Sequence, residues 1–285
     1  MFQVPLSFLF SSFVIEELTP QNVGSTVKGV AFHPTENILA SCSADGSVKL
    51  WNTDTGWELS TLRGHRDAVS SLAFKPDDPN ILVTGSRDKT IKLWDLSTCT
   101  CLSTIKGHTR DNEACKCHPR EWSDPFPVSE CPVKGHFDAV VSVSWNNDGT
   151  RLASGGLDKS VRIWDTARGE QLNEVWARGD VARVSYSPDG SKLAAAAGMS
   201  AAIFDPETNA VLCTVEGHAK DNEECTCRHD AGILKNCYVA NPNCPVRGHA
   251  RAVASVSWSP DGTRFITASA DGAVRIWDLS AGRER

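Results

Sequence analysis

The stretch that decides the fold is Gly64–Asp95, GHRDAVSSLAFKPDDPNILVTGSRDKTIKLWD. It opens on Gly-His, runs through an alternating apolar segment to a Pro/Asp turn, and continues as two further alternating segments around the polar turn Ser86-Arg87-Asp88-Lys89. It ends on Trp94-Asp95. Period-two alternation, β-branched residues and short Asp- and Gly-bearing turns predict antiparallel strands.

The same text recurs as Gly135–Asp165, GHFDAVVSVSWNNDGTRLASGGLDKSVRIWD, and as Gly248–Asp278, GHARAVASVSWSPDGTRFITASADGAVRIWD. Two weaker copies end on Trp51-Asn52 and Phe204-Asp205. Such self-similarity at a fixed period is the mark of a repeat architecture. These repeats resemble the WD40 family from about Val14 to Asp278. The resemblance implies an all-β propeller of four-stranded blades, and a non-catalytic protein–protein interaction scaffold or adaptor. Fold alone does not assign function, so the sites have to carry it.

Spacing sets the number of blades. Trp51 and Trp94 are 43 residues apart, and Trp164 and Phe204 are 40 apart. The intervals Trp94–Trp164 and Phe204–Trp277 are 70 and 73. Each long interval holds an insert with Gly-His at both ends, from His108 to His136 and from His218 to His249. The inserts resemble each other (GHTRDNEACKC…CPVKGH and GHAKDNEECTC…CPVRGH) and are too short for a blade of about 40–45 residues. Five blades are therefore expected over residues 13–279. Loop insertions fall at about 109–134 and 219–247, with tails at 1–12 and 280–285. The family resemblance implies that Phe13–Leu18 supplies the outer strand of the last blade and closes the ring. Five blades are few, and the count leaves open a small closed ring, an arc completed by another chain, or a fragment.

Composition excludes some functions. The 285 residues are 22 % charged and 40 % hydrophobic, as in a globular chain. Twenty-nine Lys and Arg against 35 Asp and Glu leave a net charge of −6. A protein that binds nucleic acid by displacing counterions needs a basic surface, so this balance disfavours one. The uncharged run Met1–Ile15 is too short to span a bilayer and lacks the basic start of an export signal. No membrane partner and no small-molecule substrate are expected. The odd count of 11 cysteines favours a reducing compartment, cytoplasmic or nuclear.

One set of residues has the components of a hydrolase triad. His65, Thr84, Asp88 and Trp94 recur as His136, Ser154, Asp158, Trp164 and as His249, Thr267, Asp271, Trp277. Hydroxyl, imidazole and carboxylate serve nucleophilic catalysis when they meet once in an open site. Here the set comes three times and always with a Trp, whose indole N–H only donates. The expected role is a buried structural tetrad, as the resemblance also implies, and no enzyme is expected. The first copy has Ser41, Asp45 and Trp51 but Val23 in the His position. The fourth has Ala194, Gly198 and Phe204 and lacks the set.

Two candidate sites remain. In the family, partners often dock on the top face, which singles out Arg87 and Leu157 just before the tetrad Asp, and Arg66, Phe137 and Arg251 after the Gly-His pairs. Arg and aromatic residues are favoured at interface hot spots. The inserts hold Cys115, Cys117, His118, Cys131, Cys225, Cys227, His229, Cys237 and Cys244. Thiolate and imidazole suit zinc, but Cys-x-Cys is tighter than the usual spacing. Free thiols, zinc and a Cys117–Cys131 disulfide are all open readings. The loops would then serve metal binding or redox sensing. A ubiquitin-ligase substrate receptor is a further alternative, weakened because no Trp-Asp pair is followed by the x-Arg or x-Lys such family members carry.

Overall fold

A computed structural model describes residues 25–108, 133–217 and 248–279, together with the strand backbone of 228–229, 237–239 and 283–284. Each copy of the repeat folds as one four-stranded antiparallel sheet. Blade one is β1 (Val27–Phe32), β2 (Ile38–Ser43), β3 (Val48–Asn52) and β4 (Glu58–Leu62). Blade two is β5 (Val69–Phe74), β6 (Ile81–Ser86), β7 (Thr90–Asp95) and β8 (Thr100–Lys106). Blade three is β9 (Val140–Trp145), β10 (Arg151–Gly156), β11 (Ser160–Asp165) and β12 (Glu170–Trp176). Blade four is β13 (Val181–Tyr186), β14 (Leu193–Ala197), β15 (Ser200–Phe204) and β16 (Val211–Val215).

Within the second insert, β17 (Arg228–His229) pairs with β18 (Cys237–Val239), a short ladder where the sequence predicts only a loop. Blade five is β19 (Val253–Trp258), β20 (Arg264–Ser269), β21 (Val274–Asp278) and β22 (Arg283–Glu284). Its fourth position, expected for Phe13–Leu18, is held over two residues by β22 from the C-terminal tail. Phe13–Leu18 itself lies outside the described residues.

Each blade is apolar on both faces, so each must be sandwiched to keep water off its core. In the joint between blades one and two, Ala40, Val48 and Leu50 pack on Leu72, Phe74, Leu82 and Trp94. The next joint sets Val83, Ile91 and Leu93 against Val143, Trp145, Leu152 and Trp164. The third sets Ala153, Val161 and Ile163 against Val184, Tyr186, Leu193 and Phe204. The fourth sets Ala194, Ala201 and Ile203 against Val253, Val256, Phe265 and Trp277. The register is constant: the residue before the Trp (or Phe204), the residue two before that, and its partner on the second strand face the following blade, while the Trp or Phe and its own second-strand partner face the preceding one.

The inner strands are also stitched by hydrogen bonds. Val143 N donates to Ser71 Oγ at 3.2 Å, Val184 N to Ser142 Oγ at 3.1 Å and Tyr186 N to Ser144 Oγ at 3.1 Å.

Among the described residues no comparable packing joins blade five to blade one. The described residues therefore do not by themselves form the closed ring implied by the resemblance: one face of blade one and one face of blade five are not covered by another described sheet.

Close approach of adjacent blades requires a small residue near the end of the second strand. Cys42, Gly85, Gly155, Ala196 and Ala268 occupy that place. A Cβ on Gly155 would stand 2.4 Å from Val181 Cγ1 and 3.0 Å from Val184 Cγ1. The glycine pairs around the inserts answer a similar need. A Cβ on Gly135 would lie 2.9 Å from Gly107 Cα, so the two ends of the first insert meet where the chain leaves and re-enters the sheet.

Gly155→Val should overpack the joint between blades three and four and destabilise the fold by about 1–3 kcal/mol. The check is a urea titration; an unchanged midpoint would contradict the joint as described.

Candidate functional site: three buried tetrads and the edge they support

The tetrad residues meet in all three intact copies. Trp94 Nε1–H donates to Thr84 Oγ1 at 2.9 Å, Thr84 Oγ1 lies 2.7 Å from His65 Nε2, and His65 Nδ1 lies 2.8 Å from Asp88. In blade three, Trp164 donates to Ser154 at 2.8 Å, His136 lies 2.7 Å from Ser154, and Asp158 lies 2.8 Å from His136. In blade five the three separations are 2.9, 2.7 and 3.0 Å for Trp277–Thr267, His249–Thr267 and His249–Asp271.

In blades two and three one proton arrangement satisfies every member. The indole donates to the hydroxyl, the hydroxyl donates to Nε2, and Nδ1–H donates to the carboxylate. In blade five Arg275 Nη1 also approaches His249 Nδ1, at 2.7 Å, and Asp271, at 3.3 Å. Ser154, Thr84 and Thr267 are buried. A hydroxyl already engaged on both sides and closed off from solvent has no approach for a substrate, so these sets do not work as nucleophiles.

The carboxylate does more than hold the imidazole. Asp88 also accepts the N–H of Arg66 at 3.0 Å and the N–H and hydroxyl of Thr90 at 2.9 and 2.6 Å. Asp158 likewise takes the N–H of Phe137 and Ser160, and Asp271 that of Ala250 and Ala273. The tetrad thus ties the residue after His to the turn between second and third strands. That turn carries a left-handed residue: Gly46, Lys89, Lys159 and Gly272 have φ of 84°, 68°, 65° and 80°. Two of the four are lysines, a conformation that the Asp hydrogen bonds on both sides help to hold.

Burial works to raise the Asp88 and Asp158 carboxyls, but the hydrogen bonds and charge of His65 and His136 outweigh it and hold both below the usual range. Asp271 stands at about 2, burial again being outweighed, here by the N–H groups of Ala250 and Ala273 with His249. Burial pushes the His136 imidazole down despite Asp158, so the pair is a neutral imidazole on a carboxylate at neutral pH.

Blade one keeps only Trp51 Nε1–H to Ser41 Oγ at 2.8 Å, while Asp45 caps Ser47. Blade four lacks the set: Ala194, expected at the hydroxyl position, pairs with Ile203 as Val83 does with Leu93 and faces the next blade, while Ala195, opposite Ala202, holds that position and Phe204 replaces the Trp.

The candidate binding residues lie on the edge that the tetrads brace. Arg87 N donates to Ala68 O and Leu157 N to Ala139 O, each at 2.9 Å, and Ala44 and Ala270 do the same in blades one and five. These bonds place every residue before a tetrad Asp beside the start of its inner strand. Arg66, Arg87, Leu157 and Arg251 are exposed there.

Phe137 is only half-buried. Its ring lies 6.0 Å from that of Trp176 and meets His108 edge-on at 6.2 Å. Trp176, 60 % exposed at the end of β12 opposite Ser160, was not singled out from sequence. It follows an alternating outer strand, and only the pairing shows that it shares an edge with Phe137. His108 N donates to His136 O at 2.8 Å, which gives the Gly-His before the first insert a structural place.

Of the metal candidates, Cys115, Cys117, His118, Cys131, Cys225, Cys227 and Cys244 lie outside the described residues. His229 and Cys237 are described only as backbone partners across β17 and β18. Among the described residues no group of three His, Cys, Asp or Glu is placed to hold a metal, and Cys42, Cys99, Cys101 and Cys213 are free thiols.

Four stretches of the chain, residues 17–52, 56–95, 128–165 and 241–278, match the family model described as WD domain, G-beta repeat. The chain belongs to the WD40 family. The stretch of blade four, which lacks the tetrad, lies outside these four matches.

The chain is similar to the serine-threonine kinase receptor-associated protein of Gallus gallus, 26 % identical over 268 residues, covering 90 % of this chain and 68 % of that protein. It is 28 % identical to protein tipD of Dictyostelium discoideum over 91 % of this chain and 40 % of that one. Over 51 % of this chain and 40 % of that protein it is 29 % identical to the small ribosomal subunit protein RACK1 of Schizosaccharomyces pombe. The chain therefore spans about two thirds of the first relative and well under half of the other two.

Two outcomes follow from the tetrad. Asp88→Ala strands the His65 and Arg66 N–H groups and should destabilise by about 1–3 kcal/mol, read from the urea midpoint. Acid should also unfold the protein in two stages. His136 is held below its unfolded value, so the unfolded chain protonates first as pH falls below about 6.5, and stability declines from there. The depressed Asp88, Asp158 and Asp271 contribute fully above about 4, and that contribution is lost as pH falls towards about 2. A midpoint that stays level from pH 7.5 to pH 5 would contradict the neutral, buried His136.

Proposed function

We propose that the protein is a non-catalytic WD40 scaffold that binds other proteins or peptides through the edge bearing Arg87, Leu157, Phe137 and Trp176. One observation carries the reading. Tetrads and backbone bonds hold this edge in a fixed geometry in successive blades, while its side chains differ from blade to blade. A rigid frame with variable exposed positions suits recognition, because little ordering is required on binding.

Arg66 and Arg87 supply a basic side in blade two, and Phe137 with Trp176 supplies an aromatic step in blade three. A peptide with acidic residues beside an apolar one fits that order of side chains. Two of the relatives are named for what they assemble with, a kinase receptor and a small ribosomal subunit. The proposal needs no cofactor and no nucleic acid, and places the protein in the cytoplasm or nucleus. Zinc on the insert cysteines would be an addition to it, read from the metal content of the purified protein.

The test is affinity capture from the source cells with wild type, Arg87→Ala and the double variant Phe137→Ala/Trp176→Ala. Each variant should lose at least about tenfold of the same captured partner, equivalent to ~1.4 kcal/mol. The unfolding midpoint of Arg87→Ala should stay that of wild type. Equal capture by all three proteins would remove this edge as the binding surface.

A further inference from the structure

The joint between neighbouring blades has two halves, and among the described residues blade five and blade one each leave one of them exposed. On every second strand and third strand the residues facing the following blade are apolar. Val83, Ile91 and Leu93 in blade two and Ala153, Val161 and Ile163 in blade three are fully covered. The same register in blade five gives Ile266, Val274 and Ile276, and these are 41, 67 and 44 % exposed.

The other half is the inner strand of the following blade. Its positions are Val69, Leu72 and Phe74 in blade two, and Val140, Val143 and Trp145 in blade three, all buried. In blade one they are Val27, Val30 and Phe32, and these are 53, 62 and 73 % exposed. Large apolar residues exposed together at joint positions mark an interaction surface.

The polar stitching is also provided for at both ends. Ser255 and Ser257 of β19 stand where Ser142 and Ser144 of β9 accept the N–H groups of Val184 and Tyr186. Val30 and Phe32 of β1 stand where Val184 and Tyr186 donate. One chain thus carries an acceptor face on blade five and a donor face on blade one, without bringing them together.

We propose that the blade-five face of one copy docks on the blade-one face of a second copy, forming between chains the same joint that is formed four times within each chain. The occupant is a second copy because blade one presents the sheet whose side chains and N–H groups are already in register for this acceptor. The interface is heterologous. Each added copy covers one bare face and brings another, so assembly continues past the dimer unless the curvature closes a ring. The surface is distinct from the tetrad-braced edge, so its failure would leave the proposed binding function untouched.

The test uses the full chain at increasing concentration in size-exclusion chromatography with light scattering. Wild type should rise in mass above the 30.8 kDa monomer as concentration rises. Phe32→Asp disables the donor face and Val274→Asp the acceptor face, so each alone should stay monomeric. Mixed in equal amounts they should form a dimer and stop there, because each retains the half the other has lost. Val30→Lys and Ile276→Lys provide a second pair should either first variant unfold, and circular dichroism reports on that. Wild type that stays monomeric up to about 100 µM overturns the proposal, which is also the result expected if residues 1–24 cover a face in the same chain. So does a mixture that stays monomeric, or single variants that assemble as wild type does.

Discussion

Every four-stranded sheet among the described residues is apolar on both faces, and the rest of the structure depends on that constraint. A four-stranded sheet with Val83 and Leu93 on one face and Leu82 and Trp94 on the other has no stable solitary form. It must be stacked, so the fold propagates blade by blade through nearest-neighbour joints, as in other repeat architectures. The small residues at Gly85, Gly155 and Ala196 set how near the neighbour comes, and the serines of the inner strands satisfy N–H groups that the sheet leaves unpaired. The same constraint makes the exposure of Phe32 and Val274 notable, because no other described sheet covers these two joint positions.

The tetrads act within the blades, where the joints act between them. Each links the third strand, through Trp and Ser or Thr, to the segment that enters the inner strand, and each Asp then fixes the turn above it. Buried polar groups of this kind are costly unless fully satisfied, and in blades two and three one proton arrangement satisfies them all. The result is an edge whose backbone is stiff and whose outward side chains are free to differ. Arg87, Leu157 and Ala270 are equivalent in the frame yet unlike in chemistry. A frame repeated with different side chains is how one architecture can recognise a specific partner without a catalytic centre.

Much of this was legible in residues. The inner three strands of each repeat follow from alternation and turn residues, and the tetrads follow from recurrence at one spacing. Pairing inside a blade is local, within about 30 residues, so a short stretch carries its own instructions. Other features were not legible. Phe137 reads as a free anchor but leans on Trp176, which lies 39 positions away and on another strand. The outer strand of blade five was expected from Phe13–Leu18, and the described residues hold Arg283–Glu284 there instead, over two residues.

The sequence by itself determined the inner three strands of each of the five blades, their two-sided apolar character and the residues of the three intact hydrogen-bonded sets, because each rests on periodicity or on groups that must satisfy one another within a repeat. Only the tertiary structure decided which side chains share an edge and which apolar residues of the described sheets are left uncovered. Val83 and Ile266 stand at the same place in the same repeat, and no rule of alternation distinguishes them. The presence or absence of the next blade does, because burial belongs to the neighbour and not to the strand.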